Sequence, residues 1–352
     1  MKLRVLLVLV SCVLSVVTGL VLARGGSAAT ATGEKKVLTI GLSLDTLKEA
    51  RWQTDRDLFV KRAEELGAKV LVQSANGDDA IQISDVEKLI TNKVDVLVIV
   101  PHDGTAMAKG VRMAHAAGIP VIAYDRIIRD TELDLYVSFD NVRVGRMQAQ
   151  YIVDNLPTPG KGRIIRIYGS KTDNNAKLFK EGQDQVLEPY IKRGDIEVIF
   201  EDWAEDWKQE NAKKIVNAAI TKFQDNFDAI LASNDGTAGG AIQALIEEGY
   251  AGKKLVTGQD AELVACQRIA QGTQSMTIYK PLKTLATKGA ELAVALAKGK
   301  PVVANQTVNN GKVDVPAALN DVVTVTSKNI EQTVIADGFH KREDVFRGAA
   351  NK

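Results

Sequence analysis

Short, nearly unbroken runs of β-branched residues alternate with amphipathic stretches along most of this chain, and that alternation leaves few folds open. From Lys36 onward the sequence reads VLTIGLSL, a helical stretch through Leu58 and Phe59 to Leu66, then AKVLVQSA. A helix around Val86–Thr91 follows, then VDVLVIVP, a helix from Ala106 to Ala117, and IPVIAYD. A run such as VDVLVIV shows no polar alternation, so it predicts a strand covered on both faces, as in a parallel sheet. Glycine follows the helical stretches in ELGAKV, AAGIPV and EEGYAG, where a left-handed residue ends a helix with little strain. A second round starts near Gly162 with RIIRIYGS, helix 177–190, IEVIFEDW, helix 209–222, FDAILASND, helix 237–248, KKLVTGQD, helix 261–271 and MTIYK. Two such rounds predict two doubly wound α/β lobes with parallel sheets. The Ala-rich stretch 282–298 predicts one more helix, and VVTVTS in the less regular tail one more strand.

Composition removes several function classes. With 352 residues the chain suits about two domains of ordinary size. Lys and Arg total 45 against 44 Asp and Glu, which lacks the basic excess of a nucleic-acid binder. Two cysteines, Cys12 and Cys266, exclude a disulfide framework and any CxxC zinc site. The three histidines (His102, His115, His340) do not stand at metal-ligand spacing, so no metal is expected. Neither a P-loop, nor GxGxxG after the first strand, nor a GxSxG elbow, nor an EF-hand calcium loop occurs, and no cofactor is expected. GTAGG reads as a small-residue helix start suited to tight packing.

The N-terminus reads as an address. Lys2 and Arg4 precede an apolar run from Val5 to about Ala23, and Ser27-Ala28-Ala29 suits signal-peptidase cleavage. The run is long enough to span a bilayer, so residues 1–29 are a signal peptide or a membrane anchor. Leu9-Val10-Ser11-Cys12 resembles a lipobox, but apolar residues continue well past Cys12. Loss of residues 1–29 takes away three basic residues and no acid, moving the net charge from +1 to −2. Cys266 then remains alone and reads as a small buried apolar residue.

Ligands of open parallel sheets bind beyond the carboxyl ends of the strands. There the sequence holds Arg51-Trp52, Asp125-Arg126, Asp173-Asn174-Asn175, Trp203 and Trp207, Asn234-Asp235, Gln259-Asp260 and Tyr279-Lys280. Carboxylates accept from sugar hydroxyls, Arg and Lys donate to them, and amides do both. Indole faces suit the apolar C–H face of a sugar. Each has a plainer use. Asp235 before GTAGG reads first as a helix cap, Trp203 as packing with Trp207 the favoured ligand group, and His102 as structural. Asp125 and Arg126 are adjacent, so both reach one ligand only if the strand has already ended there.

Taken together these segments are recognisable. EARWQTDRDLFVKRAEELGAKV, VQSANG, VDVLVIVP, AYDR, SFDN, DNNAKLF, ASNDGTAGGAIQAL, GQDAEL, GTQSMTIYKP and IADGFHKREDVF resemble the periplasmic-binding-protein type I superfamily over about residues 37–345. The combination of RWQ-DRD, AYDR and DNNAKLF resembles its D-xylose-binding members, which serve bacterial ABC importers. The resemblance implies sugar contacts at Arg51, Trp52, Asp125, Arg126, Asn175, Trp207, Asn234, Asp260 and Lys280, with Trp52 and Trp207 as an indole sandwich. It implies an N-terminal lobe of 37–140 plus 281–315, a C-terminal lobe of 141–280 plus 316–345, and hinge crossings between them.

The expected function is extracytoplasmic capture of D-xylose by a monomer, delivery to the membrane subunits of an ABC permease, a chemoreceptor as a further partner, and no catalysis. The alternatives are another monosaccharide (glucose, ribose or arabinose) or a sugar-sensing receptor component. LacI-type regulators share the lobes but carry a DNA-binding headpiece where this chain has its apolar segment. A secreted enzyme is the other rival, and turnover of xylosides separates it.

Overall fold

The computed structural model describes residues 37–349, so the reading of residues 1–29 as a signal or anchor lies outside the described residues. In chain order the elements are β1 (Leu38–Leu44), α1 (Ala50–Glu65), β2 (Ala68–Ser74), α2 (Asp79–Thr91), β3 (Val96–Val100), α3 (Ala108–Ala116), β4 (Val121–Tyr124), β5 (Leu135–Phe139) and α4 (Asn141–Asn155). There follow β6 (Gly162–Tyr168), α5 (Asn174–Lys192), β7 (Ile196–Trp203), α6 (Gln209–Phe223), β8 (Ala229–Ala232), α7 (Asp235–Glu247), β9 (Leu255–Val256), α8 (Leu263–Gln271) and β10 (Thr277–Tyr279). Helix α9 (Leu282–Ala297), β11 (Gln306–Asn309), β12 (Asp314–Asn320), β13 (Val323–Val325) and the short α10 (Arg342–Val345) complete them.

Seven strands form one sheet in the order β11-β12-β5-β4-β3-β1-β2, and four form a second in the order β7-β6-β8-β9. Every pairing in the two is parallel except that of β11 with β12. A separate antiparallel pair joins β10 to β13. The class is therefore the α/β, doubly wound parallel arrangement expected. Strand β12 keeps the first sheet going to Asn320, a few residues past the expected changeover at 315/316.

Burial explains why the apolar runs are unbroken. All five residues of β3 are buried. Val96, Val98 and Val100 point into a core with Phe59 and Ala63 of α1 and Leu285 and Ala290 of α9. Leu97 and Ile99 point the other way, among Val86 and Leu89 of α2 and Val111 and Ala114 of α3. The second sheet repeats this: Ile165 and Ile167 face α6 and α7, while Ile164 and Leu231 face α4 and α5. Two-sided coverage is what removes the polar alternation.

Local signals set the helix limits. Asp78 accepts the Ile81 N–H and starts α2 seven residues earlier than its apolar pattern suggests. Gly67 (φ 78°) and Gly118 (φ 74°) end α1 and α3 in the left-handed conformation, as expected. Gly240 of GTAGG is a packing glycine: a Cβ there would lie 2.2 Å from the Gln209 carbonyl oxygen on α6. Strand β5 has no counterpart in the apolar-run reading, because its buried Ser138 interrupts the run.

Candidate functional site

In each sheet the strand order reverses next to its first strand, between β1 and β3 and between β6 and β8. Ligand crevices form at such switch points. Asp45 follows β1, Asp125 follows β4, Asn234 stands two residues past β8, and Lys280 follows β10. Side chains from both sheets meet in one cavity of about 40 Å³, which all nine expected site residues line. Beside it lies a vestibule of about 690 Å³ that is also lined by Arg51, Arg126, Trp207 and Asp260.

Charged groups cross-link the cavity walls. The Arg51 guanidinium, in the first turn of α1, lies 2.9 Å from Asp55, 2.9 Å from Asp125 and 3.2 Å from Asp260. Lys280, 1% exposed, lies 3.3 Å from Asp260 and 3.7 Å from Asp125. Arg126 donates to Asp45 at 2.7 Å, and its Nε stands 2.9 Å from Asp173 without hydrogen-bond alignment. Burial alone would raise the Asp125 carboxyl, but Arg51 and Lys280 outweigh it and hold it at about 2. Burial dominates for Asp173 and Asp55, and both are raised despite their arginines.

Three cavity residues carry backbone strain. Asp125 (φ 60°), Trp207 (φ 57°) and Asp260 (φ 97°) all have positive φ without being glycine. Such conformations cost about 1–3 kcal/mol each and persist only where neighbours enforce them. At Asp125 the enforcement is visible: its carbonyl accepts from Tyr136 Oη (2.9 Å), Ser138 Oγ (2.6 Å) and Asn175 Nδ2 (3.1 Å). The turn ends β4 at Tyr124, which is how adjacent Asp125 and Arg126 both line one cavity.

The remaining site residues are held as firmly. Asn175 donates to the Asp125 carboxylate at 3.0 Å and accepts from Asn141 at 2.8 Å. Asn234, not Asp235, is the N-cap of α7, in a capping box with Thr237. That corrects the capping role expected for Asp235, whose buried carboxylate instead accepts from Gln274, Thr277 and the Glu262 N–H. Trp207 donates from Nε1 to Asp173 at 3.2 Å and meets Phe179 edge-on. Its indole sits directly on Gly169, where a Cβ would come within 2.0 Å of Cη2. Guanidinium groups cover Trp52: Arg51 lies 4.2 Å and Arg126 5.3 Å from its ring centroid. Trp203 stacks on Tyr168 at 4.8 Å instead of lining the cavity. His102, expected to be structural, lines the vestibule while its Nδ1 stands 3.0 Å from Asp45.

Sequence reasoning did not select Glu49, Asp173, Phe179, Gln259 and Glu262, which also line the cavity. Asp173 and Gln259 adjoin selected residues, so their signal was present, and Asp173 reads equally as a helix cap, which it is. Phe179 reads as core. Four buried side-chain atoms without a hydrogen-bond partner belong to this wall: Glu49 Oε2, Arg51 Nε, Arg126 Nε and Gln259 Oε1. Buried polar atoms are rarely left unpaired, and a group of them in one cavity is hydrogen-bonding capacity held in reserve. Among the described residues no helix is long and apolar enough to cross a membrane.

Known proteins share this architecture and much of this sequence. The chain is 50% identical to a D-xylose-binding periplasmic protein of Haemophilus influenzae over 315 residues, covering 90% of this chain and 94% of the relative. A D-xylose-binding periplasmic protein of Escherichia coli is 49% identical, covering 88% and 93%. A carbohydrate-transporter solute-binding protein from Chloroflexus aurantiacus, solved with D-glucose, superposes with a TM-score of 0.82 at 36% identity, covering 87% of this chain and 98% of that one. Residues 40–301 match the model of the periplasmic binding protein domain, and with these relatives that match shows that the chain belongs to the periplasmic binding protein family.

Proposed function

We propose that this chain is the extracytoplasmic receptor of an ABC sugar importer, which captures D-xylose between two closing lobes and hands it unchanged to a membrane permease. The observation that carries the reading is the chemistry of the small cavity. Its donors and acceptors alternate, several have buried valences to spare, and two indoles stand among them. A sugar hydroxyl both donates and accepts, so it bridges an Arg–Asp or Lys–Asp pair without stranding either partner. In this reading Asp125, Asp260 and Asn175 orient the hydroxyls, Arg51, Arg126, Lys280 and Asn234 donate to them, and Trp52 and Trp207 cover the ring.

In this reading the walls, which the Arg51 and Lys280 ion pairs cross-link, part to admit a pentopyranose. The lobes, about 37–140 plus 281–320 and 141–280 plus 321–345, move about the crossing segments. A sugar that touches both walls favours the closed arrangement, because only a ligand with differential affinity shifts such an equilibrium. Half of the sequence is shared with D-xylose-binding periplasmic proteins, which supports the pentose and the extracytoplasmic location. The reading assigns the chain no catalysis and no cofactor.

Isothermal titration of the purified full-length chain tests it. Tight 1:1 binding of D-xylose with the sugar recovered intact is expected, and weaker binding of D-glucose, D-ribose and L-arabinose. Heat with D-glucose alone would keep the class and overturn the sugar. Release of product from a xyloside would overturn the class.

A further inference from the structure

The C-terminal motif IADGFHKREDVF does not line the small cavity, although Phe339 and His340 line the vestibule, and it folds over the turn that carries one of the cavity's acids. Val334 and Val345 are buried with Ala261, Cys266, Ile269 and Tyr279 in a small core of their own. Phe339 packs at a tilt against Tyr279 (4.9 Å between ring centroids) and against His340 (4.5 Å). The Tyr279 hydroxyl donates to Asp337. From this platform His340 Nε2 donates to the Ala261 carbonyl at 2.7 Å.

That carbonyl belongs to an unusual turn. Asp260 (φ 97°) and Ala261 (φ 51°) are consecutive non-glycine residues with positive φ. Left alone, the turn would relax toward ordinary backbone and swing the Asp260 carboxylate out of its place between Arg51 and Lys280. Two bonds hold it from the β10 side: the Asp260 N–H to the Ile278 carbonyl at 2.8 Å, and the Ala261 N–H to Thr277 Oγ1 at 3.2 Å. On the other side the Ala261 carbonyl receives the imidazole and, at 3.5 Å, the Cys266 thiol. The imidazole bond is the short one, and it comes from a segment some eighty residues away in sequence.

We propose that His340 is a positioning residue for ligand binding, holding the strained 260–261 turn so that Asp260 points into the cavity. The proposal rests on Asp260 being a ligand group, as argued above. It needs an N–H at the position of Nε2 and makes no demand on the imidazole's charge. His340 donates to the carbonyl whether neutral or protonated.

The test uses the full-length chain and two readouts. His340→Phe keeps an aromatic ring beside Phe339 and removes the donor, His340→Gln restores an N–H, and His340→Ala runs beside them so that the result does not hang on one variant folding. D-xylose affinity is expected to fall about tenfold in His340→Phe and His340→Ala and to recover most of the way in His340→Gln. In an Asp260→Ala background His340→Phe is expected to add nothing, since the group it positions is gone. An equal loss in both backgrounds would overturn the proposal. The second readout needs no sugar: amide exchange at Asp260 and Ala261, followed by NMR, is expected to quicken in His340→Phe while α8 stays protected. Unchanged exchange there would overturn the clamp. Should the parent chain fail to bind D-xylose, the functional reading falls, and the exchange result still decides whether His340 holds the turn.

Discussion

Arg51 and Asp260 meet at 3.2 Å inside the cavity, one from the helix after the first strand and the other from the turn between β9 and α8. Arg51 is already shared with Asp55 and Asp125, and Asp260 with Lys280. Arg51, Lys280 and the three carboxyl groups around them therefore form one network. Asp260→Ala leaves both cations one acceptor short in a site from which water is largely excluded. D-xylose affinity is expected to fall by at least tenfold, consistent with the ~1–3 kcal/mol that an unsatisfied buried group costs. Calorimetric titration checks it, and unchanged affinity would remove Asp260 from the ligand set.

Trp207 stands on the cavity wall on a left-handed turn, anchored at one edge by Asp173. Trp207→Ala removes an indole face while leaving the sheets untouched. Affinity for D-xylose is expected to fall at least tenfold, with thermal unfolding close to that of the parent. A variant that binds like the parent would assign the indole to packing alone.

Much of this was legible in the chain before any coordinates. Both parallel sheets follow from the unbroken Val/Ile runs, because a strand covered on both faces leaves no position for a polar residue. Polar residues near the strand ends were legible as candidates that read equally as caps or packing, and it was the resemblance of RWQ, AYDR, DNN, ASND, GQDA and YKP to known sugar-binding members that singled out the nine. What was not legible depends on contacts between distant segments. Nothing near Asp235 announces that Gln274 and Thr277 will occupy its carboxylate and leave the cap to Asn234. Strand β5 was hidden by Ser138, a polar residue tolerated in the sheet because it donates to the Asp125 carbonyl. Positive φ at Asp125, Trp207 and Asp260 has no local signal either, since none of the three is glycine.

Gly169 is the floor under Trp207. A methyl group there would overlap the six-membered ring, at 2.0 Å from Cη2 and 2.2 Å from Cζ2. Gly169→Ala is expected to displace the indole and lower D-xylose affinity several-fold, although residue 169 is not a ligand group. Indole fluorescence should shift with the loss. Parent-like fluorescence and affinity together would show that the floor yields.

Glu262 supplies a pH dependence with a definite sign. Burial first, with Asp260 and Glu49 adding to it against Arg268 and Arg51, pushes its carboxyl up to about 7. The folded chain keeps a proton that the unfolded chain gives up from near 4.5, so unfolding releases it. The stabilisation is complete below about pH 4.5, fades as pH rises to about 7 and is gone above. A shift of that size corresponds to about 3 kcal/mol at most. Glu262→Gln removes the ionisation, so the variant is expected to gain stability over the parent at pH 8 and much less at pH 5. Asp125, held at about 2, stays ionised at both. Urea unfolding at the two pH values checks it, and an equal difference at both would place the effect outside this carboxyl.

Tyr136 touches the site only through a backbone atom. Its hydroxyl is one of three donors on the Asp125 carbonyl, beside Ser138 and Asn175. Tyr136→Phe leaves two of them, so the left-handed turn at Asp125 should hold at a stability loss of about 1 kcal/mol. Affinity for D-xylose is expected to change by less than about threefold. Asn175→Ala removes a donor to the same carbonyl and the 3.0 Å contact to the carboxylate together. Its affinity loss is expected to be several times larger. The comparison separates the turn from the ligand contact: losses of equal size would mean that Asp125 acts chiefly through its backbone geometry, and the carboxylate would lose its assigned role.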